Sequence, residues 1–272
     1  MTADYEPGRA RPSVGELREG IDEAWLKRAA ATDPVLHAYA TWDRERLPDR
    51  VRFVSAVEGE ETVAYRLEWR APGGEPPMIH WVGPPTASPL LERWPERPFL
   101  AVVPEERGPD LERMRGPTRT YPIEVRELRG EVPQVPAWQE ARRLGPADRS
   151  ALDELIRREP EWLLQGYARI PLDEVPCWGS FDGRELVAVA RANVTLPRVW
   201  ILNGIVTRSD RRSRGHGRAV TAAAARAARA EGAVVGLYHR ADNAPARRLY
   251  DQLGFRTIAR LLWVDAGVDR PP

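Results

Sequence analysis

The 272-residue chain has a single cysteine, Cys177, so no intrachain disulfide is open to it. Its four histidines, His37, His80, His216 and His239, are scattered, and no Cys/His spacing suits zinc or another metal. Lysine is almost missing: Lys27 is the only one, and every other basic side chain is arginine. An excess of either charge is missing too. Lys and Arg total 41 against 40 Asp and Glu, and the net +1 argues against a general binder of nucleic acid or anionic membranes. No apolar run of signal-peptide type appears near the start. The Ala-rich stretch from Ala219 to Ala230 is broken by Arg226 and Arg229 and cannot span a bilayer. What is present is 42% hydrophobic residues, enough for one large core or two ordinary ones. The expectation is a soluble, cytoplasmic protein with no metal, nucleic-acid or membrane partner.

Residues 1–12 are polar with Pro and Gly and read as a loose leader. From Ser13 the pattern predicts a helix, with Ser13 as N-cap and Glu16 three residues on. Leu17, Ile21, Ala24, Trp25 and Arg28 follow at helical spacing. A second short helix is expected from Pro34. The period then changes to two. Val51 to Val57 and Thr62 to Trp69 alternate about a Glu58-Gly59-Glu60-Glu61 turn, and Met78 to Val82 is a third strand. Residues 104–136 are rich in Pro, Arg and Glu, with one strand-like run from Tyr121 to Leu128. Pro133 and Pro136 stiffen a connector there.

Beyond it, Trp138 to Leu144 reads as a strand and Pro146 to Arg158 as a helix. Cys177 to Phe181 and Leu186 to Val194 form a hairpin about Asp182-Gly183. Trp200 to Thr207 is a buried strand, Gly215 to Glu231 a helix and Val234 to His239 a short strand. Asn243 to Leu253 is the last helix, and Phe255 to Val264 a closing strand or hairpin. The expected division is 13–133 and 134–272, an α+β arrangement. The segment Val57 to Ala64 lies over Phe181 to Ala188 with Gly, Glu, Val and Ala repeating at one offset, which points to a duplication. The first half holds nothing like the glycine loop of the second, so it would be a degenerate copy.

That loop follows the strand ending at Thr207. It reads Arg208-Ser209-Asp210-Arg211-Arg212-Ser213-Arg214-Gly215-His216-Gly217-Arg218, with R-x-x-G-x-G at Arg212, Gly215 and Gly217. A strand running through a Gly-rich turn into a helix aims several backbone N–H groups at one point, where the helix dipole adds positive charge. Glycine lets the backbone approach a pyrophosphate closely, and Arg211, Arg212, Arg214 and Arg218 would add mobile charge. The looser pattern R-x-x-G-x-[GA] is weak: Arg142-Arg143-Leu144-Gly145-Pro146-Ala147 also fits it, although it has one Gly and Pro146 lacks the needed amide. The bland reading of the second loop is an Arg-rich turn capping a helix.

Downstream, Asn243-Ala244-Pro245-Ala246-Arg247-Arg248-Leu249-Tyr250-Asp251-Gln252-Leu253-Gly254-Phe255 resembles the N-x-x-A-x-x-L-Y-x-x-x-G-F signature of the GNAT acetyltransferase superfamily. The glycine loop before it fits the same family's acetyl-CoA motif, and the resemblance covers about residues 137–265. It implies a mixed, mostly antiparallel GNAT sheet flanked by helices. With the repeated hairpin it suggests the tandem type, whose amino-terminal half is a degenerate copy. It also implies acetyl-CoA as cosubstrate and an amine of a small molecule or peptide as acceptor.

Carried over residue by residue, Ile205, Val206 and Thr207 match the strand end that pairs with the pantetheine arm. Arg212, Ser213, Arg214, Gly215, His216, Gly217 and Arg218 match the pyrophosphate loop. Asn243 matches the cofactor-contacting Asn, and Tyr250 the Tyr that protonates the departing thiolate. Thr207 stands where an apolar residue is usual and Ser209 where Pro is frequent. Each residue keeps a plainer reading: Asn243 is a natural N-cap, Tyr250 shares an inward face with Ala246, Leu249 and Leu253, and His216 is a loop side chain.

Direct attack by an amine needs a base, because an alkyl ammonium has a pKa near ~10.4. Glu159, Glu161, Asp173 and Glu174 are candidates, with Trp162, Tyr167 and Trp178 as possible cleft walls; a solvated loop and a core explain them equally well. An oxyanion donor is expected in the Gly204–Val206 backbone. Cys177 has no His or acid to activate it, so a covalent relay is rejected. The competing readings are a non-catalytic CoA-binding or regulatory module and an acyltransferase with another donor. A P-loop is disfavoured for want of its Lys-Ser/Thr, and a dinucleotide fold for want of a third glycine.

Overall fold

The computed structural model describes residues 15–70, 75–136, 140–159 and 162–268. In chain order the first elements are β1 (Glu16–Glu19), α1 (Glu23–Thr32) and α2 (Ala38–Arg46). Strands β2 (Val51–Glu58), β3 (Glu61–Trp69), β4 (Met78–Val82) and β5 (Phe99–Pro104) follow, then α3 (Gly108–Arg115) and β6 (Arg119–Leu128). Next come β7 (Arg142–Arg143), α4 (Arg149–Arg158), α5 (Trp162–Gln165), β8 (Cys177–Asp182), β9 (Glu185–Leu196) and β10 (Val199–Thr207). The chain closes with α6 (His216–Ala230), β11 (Val234–Arg240), α7 (Ala244–Gln252) and β12 (Phe255–Ala266). Among the described residues no helix is long and apolar enough to cross a membrane.

Several expectations need correction. The helix expected from Ser13 is a strand where it is described: Glu16–Glu19 pairs antiparallel with β2. Gly20 then turns the chain at φ +89, and Asp22, whose carboxylate accepts from the amides of Ala24 (2.8 Å) and Trp25 (3.1 Å), caps α1 instead. The Ser13/Glu16 capping box was a decoy, and Ser13 itself lies outside the described residues. Of the strand expected over Trp138 to Leu144, residues 138 and 139 lie outside the described part and only Arg142–Arg143 is strand. β5 and α3 carried no expectation. β5 is a continuous apolar run, and α3 buries only Gly108 and Leu111, too little for a periodic signal.

The chain forms two compact units that do not follow the linear division at residues 133–134. Of the described residues, one unit takes those of 15–28, 47–121 and 261–268; the other takes those of 29–46 and 122–260. In the first, strands run in the order β1–β2–β3–β4–β5 and then the last part of β12, with β4 and β5 parallel. Its core is Val54, Ala56, Ala64, Ile79, Trp81, Leu90, Trp94, Phe99 and Leu111, closed by Val264 and Ala266.

In the second unit the order is the first part of β12, then β6–β11–β10–β9–β8–β7. β10 and β11 are parallel and joined through α6, while β9 pairs antiparallel with β10. α6 is lined by alanines. Ala219, Ala222, Ala223, Ala224, Ala225 and Ala228 are all buried, which lets the helix axis sit close to the sheet. A separate apolar cluster of Leu144, Leu152, Leu155, Leu164 and Tyr167 packs with Val189 and Val206. Val132 and Val135 of the connector pack against the core that holds α6.

Candidate functional site

Three local geometries meet at one end of β10. The first is a fork. β10 pairs with β11 from Val199↔Val234 to Leu202↔Leu237 and no further, although β11 continues to Arg240. On its other side β10 stays with β9 as far as Thr207↔Ala188. The stretch Asn203 to Thr207 therefore turns a main-chain edge toward β11 with no strand on it. A bulge produces the splay: the register with β9 jumps between Asn203 and Val206. Gly204 sits in the bulge at φ +59, and a Cβ there would lie 2.8 Å from Tyr167 Cε2. The Tyr167 hydroxyl donates to Gly204 O at 2.7 Å, and the Gly204 amide is taken by the Asn203 side chain.

The second geometry is the turn into α6. Ser213 has φ +63 and Gly215 φ +87, so the chain reaches the helix through left-handed residues. Gly215 is the N-cap and supplies no side-chain acceptor; the first intrahelical bond there runs from Ala219 N to Gly215 O. The amides of the first turn thus point out of the helix without a helical acceptor. At Gly217 a Cβ would stand 3.0 Å from Thr207 Oγ1 and 3.2 Å from Leu249 Cδ1. Only glycine keeps the helix start this close to β10 and α7.

Not every arginine of the loop adds mobile charge. Arg208 is buried and bound to Asp210 and Glu185, and Arg211 is bound to Asp182 (2.8 Å) and Asp210 (2.6 Å). Arg211 holds the loop on its hairpin, contrary to expectation. Arg212 donates to Thr207 O at 3.2 Å, and its guanidinium lies 3.7 Å from Glu159. Arg214 is exposed and Arg218 half-buried. His216 is turned inward: its Nδ1 lies 2.9 Å from Ser180 Oγ, and burial pushes the ring below its ordinary value. Only its main-chain amide faces the turn. The decoy at Arg142 is closed from within, since Asp148 accepts from both Arg142 and the Gly145 amide.

The third geometry is α7. Asn243 is its N-cap and accepts from Ala246 N at 3.1 Å, so its plainer reading is what the geometry uses, with the amide NH2 left over. Tyr250 is buried, its ring 5.2 Å from His239 and 5.8 Å from Phe255. No protein group among the described residues hydrogen-bonds its hydroxyl, and burial pushes the phenol well above its ordinary value. His239 lies on β11 past the fork. Its Nδ1 is 2.7 Å from Arg240 O and its Nε2 3.3 Å from Glu124. Glu124 also accepts from Arg126, which reaches Asp251 beside Tyr250 at 2.6 Å. This buried ionic chain fixes α7 and hence the Tyr250 ring.

The acidic candidates fare differently. Glu159 Oε2 accepts from Ser209 N at 2.6 Å and belongs to the loop's scaffold. Asp173 and Glu174 are exposed, and Glu161 lies outside the described residues. Trp178 is buried against Trp200, Tyr167 is committed to the bulge, and nothing is described of the Trp162 side chain. Burial pushes the Cys177 thiol up to about 11, which keeps it inert. Sequence reasoning expected a helix from Pro34 but not its place at the site: α2 packs on β9 and β10 from the amino-terminal part of the chain. It brings Tyr39 onto Asn203 and Asn193, and Asp43 lies one turn further along. Tyr39 and Asp43 at i and i+4 was the available signal.

Residues 178–264 match the family model described as FR47-like protein. No curated protein matches the chain. Among solved structures, a Drosophila protein aligns with 94% of this chain and 100% of its own at 17% identity and a TM-score of 0.68. A GCN5-related N-acetyltransferase from Kribbella flavida aligns over 89% and 96% at 17% identity, TM-score 0.55. A tandem GNAT protein from the clavulanic acid biosynthesis pathway aligns over 93% and 98% at 17% identity, TM-score 0.54. At such identities the likeness is one of fold.

Proposed function

From the GNAT fold that this chain shares with these structures, in two GNAT-like halves, we propose that its second unit is an N-acyltransferase. Acetyl-CoA is the donor, and an amine of a small molecule or peptide is the acceptor, attacking directly in a ternary complex. The observation that carries the reading is the fork: an unpaired β10 edge opens beside the uncapped start of α6. A diphosphate fits that turn, where glycines clear the approach and several N–H groups converge. Acetyl-CoA would supply an activated thioester and a thiolate leaving group.

In this reading the edge formed by Ile205, Val206 and Thr207 pairs with the pantetheine amides. The amides from Ser213 to Arg218 hold the pyrophosphate, with charge from Arg212, Arg214 and Arg218. His216 contributes its amide alone. Because the Gly204 amide is engaged, Ile205 on the bulge is the better oxyanion donor. The Asn243 NH2 faces the cofactor arm.

Tyr250 stays protonated because burial disfavours the phenolate, so its O–H donates to the departing sulfur. A thiolate of pKa ~8.5 is the weaker base. Full proton transfer therefore needs a proton returned to the phenolate, which the reacting amine supplies.

The test is release of free CoA from acetyl-CoA with an amine panel, alongside calorimetric binding of acetyl-CoA. Tyr250→Phe is expected to lower kcat by about 100-fold and leave the acetyl-CoA Kd within about twofold. Equal losses of affinity and rate would make Tyr250 a binding residue. Tight binding with no CoA release would favour the non-catalytic module, and stronger competition by a longer acyl-CoA would favour another donor.

A further inference from the structure

Among its described residues the second unit leaves two opposite charges with no ionic partner near the fork. Most guanidinium groups around the site are tied to carboxylates, as in Arg126, Arg208 and Arg211. Arg191 is not. Its Nη1 donates to Gly166 O at 2.8 Å, its plane lies over the Tyr167 ring at 5.0 Å, and no carboxylate meets it among the described residues. Its Nε is buried without an acceptor, 3.3 Å from where a Cβ on Gly204 would stand. An unsatisfied guanidinium edge beside the bulge is costly unless something fills it.

Asp43 is the counterpart. It is half-buried on α2, with no hydrogen bond or ion pair among the described residues, and burial pushes its carboxyl up to about 6. Both charges act on one group: the Tyr39 hydroxyl, bonded to Asn203 and Asn193, feels the Asp43 carboxylate and the Arg191 guanidinium. Tyr39 therefore lies within electrostatic reach of both an anion and a cation, beside Asn203 of the fork. Its ring packs edge-on against Tyr238 of β11 at 5.6 Å, and Val35 lies over Gly236, which fixes α2 there.

We propose that the acceptor is an amine that carries a carboxylate close by, an amino acid in chemical class, with Arg191 receiving the carboxylate and Asp43 acting as the base. The inference rests on the acyl-transfer reading and adds the acceptor to it. Nη1 is held by Gly166 and Nε is enclosed beside the bulge, so Nη2 is the donor left for the carboxylate.

The proton balance closes. The acceptor's ammonium gives one proton to Asp43, and its nitrogen forms the bond to the thioester carbon. As the C–S bond breaks, the sulfur takes a proton from Tyr250, and the second nitrogen proton restores the phenol. One proton leaves Asp43 to solvent per turnover.

Wild-type protein with acetyl-CoA is assayed for CoA release with free amino acids, their carboxamides and simple alkylamines. Free amino acids are expected to exceed their carboxamides by about 100-fold in kcat/KM. Arg191→Gln should raise the amino-acid KM by about 30-fold and bring the ratio near one, with Arg191→Lys in between. Asp43→Asn, which keeps the shape, should lower kcat by about 100-fold with little change in KM. Calorimetry of amino acid added to the protein–CoA complex reads the Arg191 contact without turnover.

Carboxamides used as well as amino acids would overturn the acceptor class while leaving acyl transfer standing. Undiminished kcat in Asp43→Asn would overturn its role as base. A wild type that binds acetyl-CoA but releases no CoA with any amine would overturn both readings.

Discussion

Between β4 and β5 the chain crosses over through residues 83–98, and between β10 and β11 through residues 208–233; each crossover joins a parallel pair. The first holds Pro84, Pro85, Pro89, Pro95 and Pro98, and its only regular turn is Ser88–Leu91. The second holds the 15-residue α6. In the first, carbonyls converge. Leu90, Glu92 and Arg93 all accept from the buried Arg66, whose Nε also donates to Glu68 and whose plane lies over Trp94. In the second, amides converge and no side chain caps them. One crossover carries its counter-charge inside the chain, and in the acyl-transfer reading proposed above the other leaves it to a ligand. The hairpins that precede them share a detail: the alignment placing Val57 on Phe181 also superposes two bulges, at Ala56/Val57 and Ser180/Phe181.

Removing the internal counter-charge tests the first side of the contrast and has the largest expected effect. Arg66→Met leaves Glu68 with Arg52 as its one remaining ionic partner among the described residues, at 3.3 Å, and strands three carbonyls in the core. The loss should be about 3–5 kcal/mol, the range for breaking a buried ion pair by deleting one partner. Urea unfolding measures it, and the acetyl-CoA Kd of the folded fraction should stay put. A matching fall in affinity would break the comparison. Gly217→Val tests the second side. Its side chain would meet Thr207 and Leu249 and move the start of α6, so acetyl-CoA affinity should fall by about 100-fold, or about 2.7 kcal/mol, by calorimetry. Unchanged affinity would remove the α6 turn from the binding site.

What the sequence disclosed follows the same line. Strand, glycine turn and helix were readable at Trp200 to Glu231 because few backbones other than glycine take φ +87 at Gly215 or tolerate Thr207 and Leu249 at Gly217. The cap at Asn243 and the inward face of Tyr250 were readable for equally local reasons. The start of the chain was misread because two capping signals compete there and Gly20 decides for Asp22. Side-chain partners were not legible at all. With 41 basic residues, nothing local says that Arg211 is bound to Asp182 while Arg191 meets no carboxylate. Nor does spacing announce that α2, from the amino-terminal part of the chain, brings Tyr39 onto Asn203.

The second unit should also answer acid through its histidines. His37, His216 and His239 all lie in the second unit, and burial holds each below its ordinary value, His37 at about 4. A histidine whose pKa falls on folding binds more protons when unfolded, so stability is lost as pH drops below the unfolded value of ~6.5 and levels off below the folded one. For His37 the loss at pH 4.5 should be about 2 kcal/mol. His37→Gln should flatten that part of the pH–stability curve of the second unit relative to wild type. Parallel curves would show that His37 titrates alike in both states.

The smallest effect asks how much of the difference between the halves hangs on one hydroxyl. The alignment that superposes the bulges puts Ser180 on Ala56, so Ser180→Ala gives the second hairpin the residue of the first. What is lost is the contact with His216 Nδ1 at 2.9 Å, the link between β8 and the first turn of α6. A buried hydrogen bond whose surviving partner is left unsatisfied costs about 1–2 kcal/mol. If it only stabilises, the urea midpoint falls and the acetyl-CoA Kd holds. If it also orients the amides of His216 and Gly217, affinity falls by a few-fold as well, because the ligand must then order the turn that Ser180 had ordered beforehand. The second outcome would place the origin of the binding turn partly in the hairpin, one strand away from the glycines.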